Sequence, residues 1–377
     1  MSKQRSSEQD PRLTRRDFLA SSALAAGMAA GGLGAVLGAG RPAAAAVSPP
    51  LPKRRLGRTG MEITAFSLGA IGADPEVFKA GLARGINFIH CATGYGTLER
   101  VAEAMASRPK RPFLGMKYER PGRTDWEYLN RALQALKVDH VDILFFPLNS
   151  PDQARDRTHL EFFTEVKKQR KARFMGITSH SNMAPTLQAA VEAGFWDVLM
   201  PSYVLAPQAR AELRPVLDQA RKKQMGVVAM KTMTDVPTPE MGKVLKDVLT
   251  NPAVTTLCKG MLTFEHLEAL LAAAATKPTR ADRLSPQELA RACSGSSCIL
   301  CGNCPTCPRG VDVFEVVRAL DYYYVHSRQP QVARTMYAGI PDDQQGSACD
   351  GCGECHGKCP YGVDLARHVQ ASHLLLG

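Results

Sequence analysis

The chain has 377 residues, 45% of them hydrophobic and 22% charged, and its 47 Lys and Arg against 36 Asp and Glu give a net charge of +11. That length supports two domains or one large one with a sizeable buried core. The composition excludes a disordered or fibrous chain, and a single long uncharged stretch near the N-terminus excludes a polytopic membrane protein. Residues 1–46 carry a net +3, and the remaining charge is spread without a Lys/Arg block, so no nucleic-acid partner is expected.

Thr14-Arg15-Arg16-Asp17-Phe18-Leu19 precedes an uncharged, Ala- and Gly-rich run from Leu19 to Gly40, which ends near Ala44-Ala45-Ala46. Basic, apolar and small segments in that order make an export signal, and the paired arginines resemble the twin-arginine type. The expectation is therefore an exported, periplasmic protein that uses the twin-arginine translocation machinery, a route that carries folded chains. The alternative is an uncleaved anchor, with the membrane touched only through this segment. Fold reasoning begins near Pro49.

Residues 54–275 alternate short apolar runs with helical patterns. The strands read Ile63–Leu68, Asn87–Ala92, Phe113–Lys117, Val141–Phe146, Arg173–Thr178, Val198–Tyr203, Gly226–Met230 and Val254–Leu257. The helices fall near 75–84, 97–107, 125–137, 155–171, 184–193, 207–223, 239–250 and 264–275. This alternation predicts an α/β fold with a parallel sheet, and eight units suit a closed (β/α)8 TIM barrel. An open doubly wound sheet is the alternative, but no G-x-G-x-x-G follows an early strand. In a barrel the chemistry belongs at the strand C-terminal ends: Ala92–Gly96, Lys117–Tyr118, Pro147–Asn149, Thr178–Asn182, Tyr203 and Lys231–Thr232.

Lys277-Pro278 and Ser285-Pro286 mark a linker to a second domain over 285–377, with helical periodicity over Val311–Val325 and Val363–Leu376. Nine of the 11 cysteines lie in this region. Export makes disulfides the first alternative, but the spacing argues otherwise. Cys298, Cys301, Cys304 and Cys307 read C-x2-C-x2-C-x2-C before Pro308. Cys349, Cys352, Cys355 and Cys359 read C-x2-C-x2-C-x3-C before Pro360. Four thiolates on successive C-x2-C steps, closed by Cys-Pro, are what a [4Fe–4S] cluster requires. Zinc accepts four cysteines too, usually as two C-x2-C pairs across a longer loop. The expected cofactors are two [4Fe–4S] clusters, inserted before export in the folded chain. Cys293 is spare, and Cys91 and Cys258 sit in strand-like segments as core residues.

The two cysteine runs resemble a two-cluster bacterial ferredoxin module, an expected small ferredoxin-like α-helical iron–sulfur domain. In that family the fourth Cys of each run ligates the other cluster. Carried over, one cluster takes Cys298, Cys301, Cys304 and Cys359, and the other takes Cys349, Cys352, Cys355 and Cys307. The x2 spacing before Cys307 departs from the family's x3.

The barrel residues carry a second resemblance. Phe88-Ile89-His90-Cys91-Ala92-Thr93-Gly94-Tyr95-Gly96 is similar to the second-strand signature of the aldo/keto reductases, F-x-D-T-A-x-x-Y-G. Phe113–Lys117 is similar to their third strand, Val138–Leu144 to the approach to the fourth, Met175–His180 to the fifth and Val227–Lys231 to the seventh. A branch of that family carries a ferredoxin-like tail. The resemblance implies Tyr95 as proton donor to a carbonyl and Lys117 as the group that lowers its pKa. His90 stands where the family has the Asp that pairs with this Lys, and Pro147 stands where it has a His. Lys117 is thus expected to lack a carboxylate partner and either to acidify Tyr95 further or to turn elsewhere, with His90 as acceptor or proton relay. The alternative is that all three are inherited polar residues without a task. Lys259, Gly260 and Met261 correspond to the family's nucleotide-binding stretch, but Leu262 replaces a polar residue. With export added, the clusters are expected to replace NADPH as electron source.

The sequence thus predicts an exported iron–sulfur oxidoreductase acting on a small-molecule substrate or a redox protein partner. The alternatives are a non-catalytic electron-transfer or binding subunit and an NADPH-dependent reductase.

Overall fold

The computed structural model describes residues 50–119, 125–233, 236–285, 287–289, 298–324 and 329–377. The leader, Pro286, Cys293 and Val325 lie outside these residues. A hairpin comes first, with β1 (Lys53–Arg55) antiparallel to β2 (Glu62–Thr64). Eight strands then close a barrel: β3 (Phe66–Gly69), β4 (Phe88–Ala92), β5 (Phe113–Lys117), β6 (Val141–Pro147), β7 (Ala172–Ser179), β8 (Val198–Pro201), β9 (Gly226–Met230) and β10 (Thr256–Gly260). They run in the order β10-β3-β4-β5-β6-β7-β8-β9, and every neighbouring pair is parallel. The expected eight-stranded parallel barrel is the observed one.

The outer helices are α1 (Pro75–Ala83), α2 (Leu98–Ala106), α3 (Trp126–Ala135), α4 (Pro151–Arg155), α5 (Thr158–Lys168), α6 (Met183–Ala193), α7 (Pro207–Lys222), α8 (Thr238–Leu249) and α9 (Phe264–Ala274). Their starts are written in the chain. Asp74 accepts from the Glu76 and Val77 amides ahead of α1, Asp125 from Tyr128 N ahead of α3, and Thr263 from His266 N ahead of α9. Such caps satisfy amides that the first turn leaves without partners. Strand residues alternate between two cores. Phe88, Ile143, Phe145, Met200 and Met230 fill the barrel interior, while the outward residues pack under the helices.

Of the boundaries that differ from the sequence expectation, three have a plain local cause. The run Ile63–Leu68 serves two sheets, because the chain bends at Ala65 where Thr64 Oγ1 donates to the Phe66 carbonyl (2.9 Å). The eighth strand begins at Thr256, since Asn251 holds Ala253 and Val254 in a turn through its side chain and carbonyl. The helix expected over 155–171 is two: Ser150 and Pro151 start α4, and Asp156 restarts the chain by accepting from Thr158 N (2.9 Å).

Beyond the barrel lie α10 (Val313–Tyr324), α11 (Pro330–Ala338) and α12 (Leu365–Leu376). Ser372 Oγ donates to the Val316 carbonyl and pins α12 on α10. Their apolar faces join the barrel's outer core in one cluster. Among the described residues no helix is long and apolar enough to cross a membrane.

Candidate functional site

β4, β5, β7 and β9 deliver His90, Lys117, Thr178 and Lys231 to one end of the barrel. Strand alternation decides which of these face inward: His90 is in phase with Phe88, and Thr178 with Phe174, both of which meet the interior. His90 is 3% exposed, stands edge-on to Phe145 with ring centroids 5.4 Å apart, and its Nε2 has no hydrogen-bond partner among the described residues. Burial, and then the Lys117 and Lys231 charges, push its pKa down to about 3, so the ring is neutral at ordinary pH. Thr178 Oγ1 and Ser202 Oγ are likewise buried without a partner.

Lys117 has a carboxylate partner after all. Its Nζ lies 2.6 Å from Glu119 Oε1 and 5.1 Å from the centre of the Tyr95 ring. Glu119 also accepts from the Gly94 amide (2.5 Å), and its own amide donates to Thr93 Oγ1. One carboxylate thus ties the lysine to the short 3-10 turn Thr93–Tyr95 that carries the tyrosine. A side chain at 94 would displace this carboxylate, since a Cβ there would collide with Glu119 Oε2. The expectation of a lysine without a carboxylate is therefore corrected; of the two alternatives left open for Lys117, the structure has it turned to Glu119 rather than acidifying Tyr95. Burial, and then the Glu119 charge, push the Tyr95 pKa up. Glu119 went unnoticed in the sequence although it lies two residues beyond Lys117, the spacing that puts side chains on the same face of an extended chain.

The C-terminal helices lie over this end of the barrel. The Tyr322 ring of α10 sits 4.2 Å from Lys231 Nζ, and Arg318 of α10 acts electrostatically on Tyr95, His180 and Lys231. α11 packs on the Thr93–Tyr95 turn, and Gln329 just before it stands beside Gly72 and Leu262. Gly302, in the left-handed region (φ +78°), lies so close to the loop after β7 that a Cβ would stand 2.7 Å from Ser181 Cα.

Between those helices the eight motif cysteines gather in two places. Cys298, Cys301, Cys304 and Cys359 line one cavity, and Cys307, Cys349, Cys352 and Cys355 line another. The fourth cysteine of each run thus joins the first three of the other run. All eight are free thiols. Cys298 and Cys301 are buried, whereas Cys352 is exposed, so the quartet beside the barrel is the inner one. Gly302, Gly351 and Gly353 all have positive φ, and Leu300 N donates to Cys298 Sγ (3.4 Å). Among the described residues no three His, Cys, Asp or Glu converge closely enough to hold a single metal ion.

The other expected positions separate into two kinds. Lys259 and Gly260 end β10, but Met261 is fully buried and offers no surface to a nucleotide. Tyr203 points away from the mouth, its ring under Arg210 and its hydroxyl accepting from Asn251. Asn149 accepts from the His180 and Ser181 amides and so fixes a loop. Cys91 and Cys258 are buried core residues, as expected; burial pushes the Cys258 thiol up to about 12.

A barrel with a Tyr–Lys–carboxylate group at the strand C-termini has relatives. Residues 75–235 match the aldo/keto reductase family. Solved structures share the fold at low identity. An aldo-keto reductase from Bacillus halodurans, AKR11C1, is 18% identical, with a TM-score of 0.54 over 64% of this chain and 96% of its own. The thermostable aldo-keto reductase Tm1743 is 20% identical, with a TM-score of 0.52 over 64% and 99%. An aldo/keto reductase from Brucella melitensis is 15% identical, with a TM-score of 0.50 over 64% and 99%. No curated protein matches the chain significantly. Residues 75–235 thus match an aldo/keto reductase family domain over about two fifths of the chain, within the barrel, and the C-terminal helices lie beyond the matched residues.

Proposed function

We propose that this chain is an exported iron–sulfur oxidoreductase on an aldo/keto reductase barrel, moving electrons between a redox partner and a small-molecule substrate at the barrel mouth. The observation that carries this reading is the sorting of eight motif cysteines into two quartets around two cavities. The thiols are free, and positive-φ glycines let the loops wrap each cavity. A zinc ion needs its sulfurs within about 2.3 Å of one point, so thiols spread around a cavity favour a larger group. Cys298, Cys301, Cys304 and Cys359 would hold the inner [4Fe–4S] cluster, and Cys307, Cys349, Cys352 and Cys355 the outer one. When bound, the clusters would supply one-electron transfer.

The chain's own residues supply the rest. Gly302 brings the inner quartet's loop against Ser181 at the mouth, while exposed Cys352 puts the outer quartet where a redox protein can approach. Tyr95 is partly buried and holds its proton, with burial and the Glu119 charge raising its pKa, Glu119 fixes Lys117 beside it, and His90 remains neutral. These groups can orient a polar substrate and keep a proton at the phenol oxygen. The leader over 1–46 belongs to the same reading, since a cluster inserted in the cytoplasm must be exported inside a folded chain. NADPH fits poorly, because Met261 is buried and Gln329 and Leu262 both crowd Gly72.

A second reading, an electron-transfer subunit whose barrel does no chemistry, draws on the covering of Lys231 by Tyr322. Anaerobic reduction with dithionite, followed by low-temperature paramagnetic resonance and a nicotinamide fluorescence titration, tests the proposal. Reduced-cluster signals with no nicotinamide response support it. A nicotinamide response without cluster signals would replace it with an ordinary carbonyl reductase.

A further inference from the structure

At the end of the barrel away from the mouth, two distant segments meet around a cleft of about 780 Å3. β1 brings Arg54 and Arg55, and the turn after α9 brings Arg280 and Arg283; Thr250 and Thr255 complete the polar wall. Arg54 is held rigidly, its two terminal nitrogens donating to the carbonyls of Val254 (2.9 Å) and Leu249 (2.8 Å). Arg55 uses only Nε, toward the Gly57 carbonyl (3.2 Å). Arg280 and Arg283 are exposed. The nearest carboxylate in sequence, Asp282, is turned to Thr279 (2.6 Å to its amide) and Lys246 (3.8 Å). Among the described residues none of the four guanidiniums pairs with a carboxylate.

Like charges so gathered repel one another unless an anion lies between them. Guanidinium forks match the spacing of phosphate and carboxylate oxygens, and hydroxyls add donors. A volume within the ~300–1,000 Å3 usual for small-molecule sites suits one compact ligand. The chain's own leader is an unsuitable occupant, because residues 1–46 are themselves basic. We propose that this cleft binds a phosphate-type polyanion, a molecule carrying two or more phosphoryl groups, at a site separate from the barrel mouth. The same chemistry arises from a soluble polyphosphate or from phospholipid headgroups.

The test uses the full chain. Inorganic tripolyphosphate is titrated by calorimetry, and binding to vesicles containing phosphatidylglycerol is followed by sedimentation. Three proteins are compared: the natural chain, an Arg280→Glu/Arg283→Glu variant, and an Arg221→Glu/Lys222→Glu control with the same charge change on α7. All four substituted positions are exposed, so circular dichroism should match the natural chain. The expected result is saturable one-site binding of tripolyphosphate or of vesicles, weakened at least about tenfold in the Arg280/Arg283 variant and about unchanged in the control. Which probe binds tells the soluble source from the lipid one. No binding of either probe, or equal weakening in both variants, would overturn the proposal.

Discussion

Replacing His90 with Gln examines the buried end of the barrel through pH. The ring is 3% exposed and its pKa lies at about 3, against roughly 6.5 in an unfolded chain. Between those values the unfolded state binds a proton that the folded state does not, so stability is lost as pH falls below about 6.5. The slope is ~1.36 kcal/mol per pH unit. From pH 6.5, where the unfolded ring is half protonated, to pH 5.0, His90 alone should therefore remove about 1.7 kcal/mol of folding free energy. Urea unfolding at pH 7, 6 and 5, read from the fluorescence of Trp126 and Trp196 in the barrel, measures this directly. The natural chain should lose about 2 kcal/mol more than His90→Gln across that range. Equal losses in the two proteins would refute a neutral, desolvated histidine beneath Lys117.

Other outcomes follow from the same geometry. Glu119→Gln leaves the Lys117 ammonium, 6% exposed, with a neutral amide in place of its 2.6 Å carboxylate partner, and should destabilise by about 2–3 kcal/mol, less than the ~3–5 kcal/mol of a fully buried pair because Glu119 is a quarter exposed. Gly94→Ala should reproduce much of that loss in thermal unfolding by driving the carboxylate away, whereas Gly96→Ala, unobstructed but strained at φ +63°, should cost about 1–2 kcal/mol that adds fully to the loss from Glu119→Gln. Cys359→Ser should deplete the same cluster as Cys298→Ser, and Cys307→Ser the same as Cys349→Ser, with paramagnetic resonance separating the two pairs. If Cys359→Ser matches Cys349→Ser instead, the exchange of fourth ligands between the runs is wrong.

Much of the fold was legible because strands and helices differ in period. Phe113–Lys117 and Gly226–Met230 fall on their expected boundaries, and the caps at Asp74 and Asp125 announce α1 and α3. Where a turn interrupts an apolar run, as at Ala65 or Val254, hydrophobicity alone cannot place the break. α11 was missed although Pro330 stands at its first turn, a signal of helix starts. At the site, motif positions located Tyr95 and Lys117, but Glu119 lay outside every motif and its role depends on contacts across the chain. The covering of the mouth by Tyr322 and the meeting of Arg54 with Arg280 join segments more than 90 and 220 residues apart; no local pattern encodes them.

The most direct measurement is iron and acid-labile sulfide in the full chain prepared without oxygen, read together with visible absorption. The account predicts a brown protein whose iron and sulfide match two four-iron clusters per chain, falling to one when Cys301 or Cys352 is replaced by Ser. A colourless protein containing zinc, or one holding pairwise disulfides among the eight cysteines, would contradict it.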